Sequence, residues 1–414
     1  MEWQGVLGIV ALPALAWAMG KTRRRVRWRL VAVALALQVG LALMLLRIPP
    51  LRAALQGIND WVVALQTATR EGTAFVFGYL GGGPPPFAIT EPAHAFVLAF
   101  QALPILLLMS ALSALLFHWR ILPWLVKGCS VVLERTLRVG GAVGVAAAAN
   151  VFFGMVEAAL MIRPYVAKLG RGELLMVMTC GMATIAGTMF VLYATMLAPV
   201  LPDAAGQLLV ASVISAPAAL MISELMLPAG GDGTAAEVLT APSHDGGAIE
   251  AVLAGTSAGV TLLIDIVALL LVLVALVSLA DAILALLPEM AGKPVSLQGL
   301  VAWPMRPIAW LIGVPWSEVP AAAHLLATKV VLNELVAYAE LAALPADALS
   351  PHSKLIVIYA LCGFANIASA GIMIGGMAAM APERRPEIAR LGLRSIISGL
   401  LATCLTGAVV GLLA

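Results

Sequence analysis

The sequence predicts an all-α polytopic membrane protein with eight transmembrane helices and two re-entrant hairpins arranged as an inverted repeat. Of its 414 residues, 62% are hydrophobic and 11% are charged, against about 45–50% apolar residues in soluble domains. Several apolar runs exceed the ~20 residues that cross a hydrocarbon core. Two related octapeptides with small and polar residues, CGMATIAG at 180–187 and CGFANIAS at 362–369, interrupt two of these runs.

The predicted crossings are the long apolar runs of the chain. In order, they cover 4–20, 28–46, 95–117, 173–200, 207–228, 257–285, 353–380 and 390–413. The first is interpreted as a retained helix, because its basic cluster follows the apolar stretch, whereas a cleaved signal peptide has it before. Two further apolar regions, 140–170 and 318–345, carry polar residues near their middles. They are predicted to be pairs of half-length helices that return to the side they entered.

The distribution of charge supports this topology. With the N-terminus outside, the inside loops hold 17 of the 24 Lys and Arg residues, in clusters at 21–29, 120–138, 163–171 and 384–394. Such an excess is typical of cytoplasmic loops. If either hairpin crossed the membrane, the last cluster would move outside. Both termini are therefore predicted on the outer side of the membrane.

The order of hairpin, interrupted helix and plain helix occurs twice, 182 residues apart and in opposite orientation. Secondary transporters are built from such inverted repeats. Four domains are predicted: N-terminal scaffold helices at 1–117, a first transport-domain repeat at 118–228, a linker with scaffold crossing six at 229–290, and a second transport-domain repeat at 291–414. The linker proper is predicted at 229–256.

The composition of the octapeptides suggests what they do. Small residues, hydroxyls and amides let a helix unwind, and the exposed backbone is tolerated in a membrane only where it lines a cavity. Two interrupted helices and two hairpin tips would together form one polar pocket. The alternative is that each octapeptide is a close helix-packing site. The duplication, with Thr184 in one copy and Asn366 and Ser369 in the other, favours a binding site.

A glutamate lies near the middle of each predicted hairpin, Glu157 in the first and Glu334 in the second. An ionisable group inside a bilayer costs at least ~2.5–3.5 kcal/mol, so it marks a functional site by default. Each carboxylate is expected either to accept hydrogen bonds from a ligand or to carry a coupling proton; the alternative is a neutral or paired group in a packed interface. Lys329 either pairs with Glu334 or marks the outer surface, and the second is favoured.

Three long stretches resemble the concentrative nucleoside transporter family. They are ANVFFGMVEAALMIRPYVAKLGRGELLMVMTCGMATIAG (149–187), TKVVLNELVAYAEL (328–341) and ALCGFANIASAGIMIGGMAAMAPERRPEIARLGLRSIISGLLA (360–402). The match runs in order from about residue 95 to the C-terminus, and the shorter bacterial form is closest in length. The resemblance implies a homotrimer with crossing six at its three-fold axis, and a mobile transport domain made of both hairpins with crossings four, five, seven and eight.

The resemblance also implies the site residues. The first hairpin tip and crossing four would contact the nucleobase, through Gly154, Met155, Val156, Glu157 and Met189. The second tip and crossing seven would hold the ribose hydroxyls, through Glu334, Asn366 and Ser369. A sodium ion would lie between the first tip and the break in crossing four, held by the side chains of Asn150 and Thr184 and the backbone carbonyls of Phe153 and Ile185.

The first tip departs from the pattern of the family, Gly-Gln-Thr/Ser-Glu, because this chain has Met155 and Val156 between Gly154 and Glu157. A thioether and an isopropyl group replace the amide and hydroxyl that would read a base edge. Apolar walls reject misfits only weakly, so the base preference does not transfer. Leu335 stands in place of the usual phenylalanine, a minor change.

The predicted function is an ion-coupled symporter, with sodium favoured as the ion, that imports nucleosides or close ribosyl analogues by alternating access. Its partners are a nucleoside-like small molecule, sodium or a proton, the lipid bilayer and further copies of the chain, with no organic cofactor and no nucleic acid. A proton-coupled transporter of a different nucleoside-like or nucleobase-like solute and a membrane sensor that transports nothing remain alternatives. An enzyme is disfavoured, because the crossings carry no Ser/His, Asp/Asp or HExxH pattern and the four cysteines have no metal spacing.

Overall fold

The computed structural model describes residues 2–20, 25–88, 95–230, 247–289 and 294–414, and every regular element in these ranges is a helix. The N-terminal part holds α1 (Glu2–Met19), α2 (Trp28–Arg47), α3 (Pro49–Phe77), α4 (Leu98–Gln101), α5 (Ile105–His118) and α6 (Ile121–Leu137). The first repeat holds α7 (Gly141–Ala149), α8 (Met155–Leu160), α9 (Arg163–Val166), α10 (Arg171–Ala183), α11 (Gly187–Leu197) and α12 (Ala204–Met226). The rest holds α13 (Ala248–Leu284), α14 (Leu297–Leu311), α15 (Val319–Val331), α16 (Glu334–Ala343), α17 (Pro351–Leu361), α18 (Ile367–Met380) and α19 (Arg385–Leu413).

Within the described ranges, six helical segments are long and apolar enough to cross a membrane. They are Trp28–Arg47, Leu98–His118, Arg171–Leu197, Ala204–Met226, Ala248–Leu284 and Pro382–Leu413. The other two predicted crossings, 4–20 and 353–380, are not in this set, because α1 is short and because α17 and α18 are separate shorter helices. The all-helical, multi-span class is therefore confirmed, and the sidedness of the termini stays a prediction.

Three helices lie where the sequence predicted no crossing: α3, α6 and α14. Charged residues or prolines interrupt each of them, and α6 and α14 have only 17 and 15 residues, so none is among the long apolar segments. Few positions of α3 and α14 are buried, whereas α6 buries one face. The linker predicted at 229–256 is wrong at its C-terminal end, since α13 already begins at Ala248. Apolar residues and good helix formers in AIEAVLAGT explain the earlier start. Residues 231–246 of that linker lie outside the described part of the chain.

Both octapeptides interrupt a helix, as predicted. Residues 184–186 separate α10 from α11, and residues 362–366 separate α17 from α18. The two predicted hairpins are likewise pairs of helices joined by short turns, at 150–154 between α7 and α8 and at 332–333 between α15 and α16. The breaks are confirmed, whereas the return of each pair to one side of the membrane stays a prediction.

The core lies around α10, α12 and α19, whose side chains are buried on nearly every face. A helix that is apolar all round has to be buried in this way or face lipid. In contrast, α13 packs along one side against α5 and exposes most of its long apolar side chains on the single chain. Only lipid or another protein surface can cover that side.

The two helix breaks touch each other at Gly363. This glycine has a φ of 150°, a backbone conformation that residues with a Cβ atom rarely adopt. A methyl group on its Cα atom would lie 2.8 Å from the carbonyl oxygen of Met182 in the last turn of α10. The absence of a side chain at Gly363 therefore allows the two interrupted helices to approach closely.

We expect Gly363→Ala to destabilise the protein by about 1–3 kcal/mol, because it adds backbone strain and a contact that the neighbouring helix cannot relieve. The measurement is the melting temperature of the detergent-purified protein. Gly371→Ala is the matched control, since a methyl group there meets no atom within 4 Å, and a helical Gly→Ala change stabilises by about 0.5–1 kcal/mol. Equal melting temperatures for the two variants would contradict the conclusion that Gly363 is needed for the close approach of the two helix breaks.

Candidate functional site

The first predicted tip, between α7 and α8, rests on the break between α10 and α11. The backbone N–H of Gly187 donates to the carbonyl oxygen of Phe152 at 3.1 Å. On the other side of the break, a methyl group at Gly181 would lie 2.8 Å from Cβ of Met155. The small residues of the first octapeptide thus make room for the tip, which is a physical reason for their presence in an apolar segment.

A buried oxygen without a partner lies beneath this tip. Asn150 is 1% exposed, and its Nδ2 donates to the carbonyl oxygen of Ala146 at 2.8 Å. Its Oδ1 has no hydrogen-bond partner among the described residues. Thr184, also 1% exposed, donates from Oγ1 to the carbonyl oxygen of Cys180 at 2.9 Å, so the lone pairs of that hydroxyl remain available.

The surroundings of Asn150 favour a cation. Asn150 follows the last residue of α7, and Thr184 follows the last residue of α10. Helix C-termini carry partial negative charge, and both helices end here. Phe153 and Ile185 lie in the non-helical segments on either side, where backbone carbonyls are not committed to a helix. The donors are neutral oxygens, which suit a hard cation, so the residues present fit a sodium ion.

At the second tip, a hydrogen-bond network fixes the carboxylate of Glu334. This residue is the first of α16 and is 4% exposed. Its Oε1 accepts from the hydroxyl of Tyr193 at 2.6 Å, and its Oε2 accepts from Nδ2 of Asn366 at 2.9 Å. Asn366 in turn accepts at Oδ1 from the backbone N–H of Ser369 at 2.7 Å, which caps α18. Residues from both repeats therefore orient one carboxylate.

Both tips open into a single cavity of about 310 Å³. It contains every residue predicted for the base and ribose ends: Gly154, Met155, Val156, Glu157, Met189, Glu334, Asn366 and Ser369. The structure thus brings the two glutamates to one cavity, one exposed and one buried. Asn150, Phe153, Thr184 and Ile185 do not line the cavity; they lie behind the first tip. The binding role of each residue stays a prediction.

The cavity also holds residues that sequence reasoning missed. Thr188 follows the first octapeptide, Asn333 precedes Glu334, and Phe364 lies in the second octapeptide, so proximity to a motif was a usable signal. A row of apolar residues from α13 closes one wall, and it comprises Leu262, Ile266, Leu269, Leu270 and Leu273. No local signal marks those residues, because they look like any membrane helix.

The prediction that Lys329 marks the outer surface is wrong. Lys329 is 0% exposed, and its Nζ donates to the carbonyl oxygen of Ala360 and to Oγ1 of Thr403, each at 2.9 Å. None of the salt bridges among the described residues involves it. A lysine near a predicted membrane boundary is usually at the surface, and only the packing of α17 and α19 around α15 shows otherwise.

Comparison with protein families matches three models to consecutive parts of the chain. Residues 7–80 match the N-terminal model and residues 207–411 the C-terminal model of the Na+ dependent nucleoside transporter, and residues 99–200 match a model described as nucleoside recognition. Among similar proteins, an uncharacterized transporter of Haemophilus influenzae is 34% identical over 98% of this chain and 96% of its own length. The nucleoside permease NupC of Helicobacter pylori is 31% identical over 98% and 96%. Human sodium/nucleoside cotransporter 1 is 31% identical over 98% of this chain and 63% of its own length.

Solved structures show the same architecture. CNTnw in an inward-facing substrate-bound state aligns with a TM-score of 0.87 at 33% identity, covering 99% of this chain and 98% of the other. A doubly substituted CNTnw in an outward-facing state aligns with a TM-score of 0.89 at 31% identity, covering 99% and 97%.

Proposed function

The chain belongs to the Na+ dependent nucleoside transporter family, and on that premise we propose that it is a sodium-coupled symporter that imports nucleosides or close ribosyl analogues. Members of this family are transporters, so an enzymatic role is set aside. The observation that carries the proposal is the position of Glu334 and Asn366, which share one cavity with the first tip, beside the unpaired oxygen of Asn150.

The polar end of the cavity suits the vicinal hydroxyls of a ribose. Glu334 offers a charged acceptor, Asn366 a mixed donor and acceptor, and Ser369 a hydroxyl. Because Tyr193 and Asn366 already hold the carboxylate, the acceptor is oriented before a ligand arrives. Such preorganisation lowers the cost of binding. The hydroxyls of a ribose bound here would donate hydrogen bonds to the lone pairs of Glu334 that Tyr193 and Asn366 do not use.

Around the first tip the cavity lining is largely apolar, which favours a tolerant base site. Met155 and Val156 line it, and α13 closes it with aliphatic side chains. Polar groups there are few, namely Glu157 and Thr188. The side chain of Val156 also packs over Gly376 of α18, where a methyl group would come within 2.9 Å of it. We therefore propose a substrate whose sugar is recognised by specific hydrogen bonds and whose base is bound mainly by apolar contacts.

The proposed sodium site explains how an ion would increase substrate affinity. Asn150 and Thr184 come from the two segments that meet under the first tip, so an ion bound between them would hold the tip against the break. The tip carries the base-end residues, and binding of the ion and of the substrate should therefore be coupled reciprocally. The unpaired Oδ1 of Asn150 favours sodium over a proton as the coupling ion.

The proposed mechanism is alternating access. Solved relatives include inward-facing and outward-facing states. The mobile part is proposed to comprise the two repeats at 118–228 and 291–414, moving against a scaffold that includes α13. The bare apolar side of α13 supports the homotrimer that the resemblance implies. The termini are proposed to face the periplasm of a bacterial inner membrane.

The function is tested by thermal stabilisation of the purified protein with nucleosides, free nucleobases and unrelated polar solutes, each in sodium and in choline. We expect nucleosides to raise the melting temperature most, and only with sodium. Glu334→Gln should weaken the affinity for the strongest ligand about tenfold to a hundredfold, because a charged acceptor is lost. Glu340→Gln on the same helix, where Glu340 accepts from Thr328, should leave it unchanged.

Several outcomes would contradict this function. If Glu334→Gln leaves affinity unchanged, the ribose assignment is wrong, and if no nucleoside stabilises the protein while another solute does, the substrate class is wrong. Nucleoside counterflow in proteoliposomes separates a transporter from a sensor that only binds. Uptake in sodium-free buffer that rises with a proton gradient would show proton coupling instead.

The sodium site predicts the behaviour of Asn150→Ala. We expect this variant to lose the sodium-induced rise in melting temperature, measured without nucleoside, because its amide oxygen is the main uncommitted ligand of the site. Asn59→Ala is the control, since Asn59 accepts from the backbone N–H groups of residues 205 and 206 and does not line the cavity. An unchanged sodium response in Asn150→Ala would place the ion elsewhere.

The base end predicts a gain of discrimination. The double change Met155→Gln and Val156→Thr adds hydrogen-bonding groups, so affinities for different nucleosides should spread apart, by about tenfold between best and worst. A nucleoside analogue whose base lacks hydrogen-bonding groups serves as the internal control and should not gain affinity. If the spread of dissociation constants among nucleosides does not widen, the two positions do not face the base.

A further inference from the structure

A fully buried cation lies close to the second helix break. The ammonium of Lys329 donates one hydrogen bond to Ala360 and one to Thr403, and its side chain is 0% exposed. Ionisable groups inside a membrane protein are costly and usually functional. Neither the cavity lining nor the proposed sodium site includes this residue.

The carbonyl that Lys329 contacts belongs to an interrupted helix. Since α17 ends at Leu361, the carbonyl of Ala360 lacks the helical N–H partner four residues on. The C-terminal end of a helix carries partial negative charge, which a cation stabilises. In water this end would be solvated, but here the ammonium supplies the missing donor. Lys329 thus satisfies the backbone at the break that leads to Asn366.

In the first repeat a helix also ends at a break, with partial negative charge at its C-terminal end, but no lysine lies there. In the register that aligns the two octapeptides, 182 residues apart, Lys329 corresponds to Ala147 of α7. The sequence has no Lys or Arg at 139–162 or at 172–226. The one basic residue of α7, α8, α10 and α11 is therefore Arg171, which lies at the start of α10, at the opposite end from the break, and pairs with Glu387. What lies at the break instead is the unpaired Oδ1 of Asn150.

We propose that Lys329 is a tethered cation that does in the second repeat what the coupling ion does in the first. It keeps the break between α17 and α18 ordered, and with it the ribose-end residues, without a diffusible ion. The second repeat then always contains its cation, the ammonium of Lys329, whereas the first contains one only when sodium is bound. This chain therefore needs one coupling cation and not two. This inference rests on the proposed function.

The position of Lys329 also suits its effect on Glu334. The two buried groups lie five residues apart in the sequence, yet they form no direct ion pair among the described salt bridges. The ammonium therefore leaves the oxygens of the buried carboxylate to Tyr193, Asn366 and a ligand. A lysine in direct contact would block one of those oxygens.

The test compares Lys329→Met and Lys329→Gln with wild type, using the full-length protein in detergent. Two quantities are measured: the dissociation constant of the nucleoside that stabilises wild type most, in saturating sodium, and the sodium concentration for half-maximal stabilisation without nucleoside. Both variants should bind the nucleoside about tenfold more weakly or worse, because a buried carbonyl loses its charged donor. The half-maximal sodium concentration should stay unchanged, because the first repeat keeps its own site. Lys354→Met is the matched control, since Lys354 contacts only the carbonyl of Ala346 at the surface among its described hydrogen bonds.

The outcomes separate the possible roles. If Lys329→Gln binds nucleoside as wild type does, hydrogen bonding without charge suffices and the tethered cation is wrong. If both variants lose the sodium response together with the nucleoside response, Lys329 is only a structural residue and the proposal is overturned. If wild type binds no nucleoside at all while sodium still stabilises it, the proposed function has failed instead, and the inference fails with it.

Discussion

The architecture depends on one constraint: a backbone that leaves the helical conformation inside a membrane has to find other partners for its N–H and C=O groups. In hydrocarbon no water supplies them. Each of the two interruptions therefore has to be surrounded by protein, which is why α10, α12, α17 and α19 form the buried centre of the chain. The small residues of the octapeptides, such as Gly363 against Met182, exist to permit that density.

The two breaks meet this constraint in different ways, although the repeats share an architecture. In the second, a lysine from the neighbouring helix donates to a carbonyl at the end of α17, and the side-chain oxygen of Asn366 accepts from a backbone N–H at the start of α18. In the first, the tip supplies one carbonyl to Gly187 and leaves an amide oxygen unsatisfied. An incomplete set of partners is a weakness in a purely structural element and a useful property in a site that must respond to an ion. The two halves of the site thus differ because the break in the second repeat finds its hydrogen-bond partners within the chain, whereas the break in the first leaves one oxygen without a partner among the described residues.

Much of this could be predicted from sequence, and what was missed has physical reasons. The helix breaks, the tips and the shared cavity could be predicted from duplicated local patterns of Gly, Asn and Glu, because these residues indicate where the backbone leaves the helical conformation. The helices α3, α6 and α14 were missed because mixed polarity hides a helix from a search for apolar runs. The partners of Glu334 were missed in part: Asn366 was visible in a motif, whereas Tyr193 lies 141 residues away and looks like any aromatic residue in a crossing. The burial of Lys329 depends on α17 and α19 folding around it, which no local pattern encodes.

The contact between Val156 and Gly376 has a consequence for how such a protein can diversify. A residue that lines the cavity also fills the space left by a glycine in the opposite repeat, so the choice of side chains at position 156 is limited by volume before chemistry is considered. Threonine or alanine fits this space, and leucine or an aromatic ring does not. Evolution towards new substrates can therefore use only a few residue types at position 156, unless α18 changes at the same time.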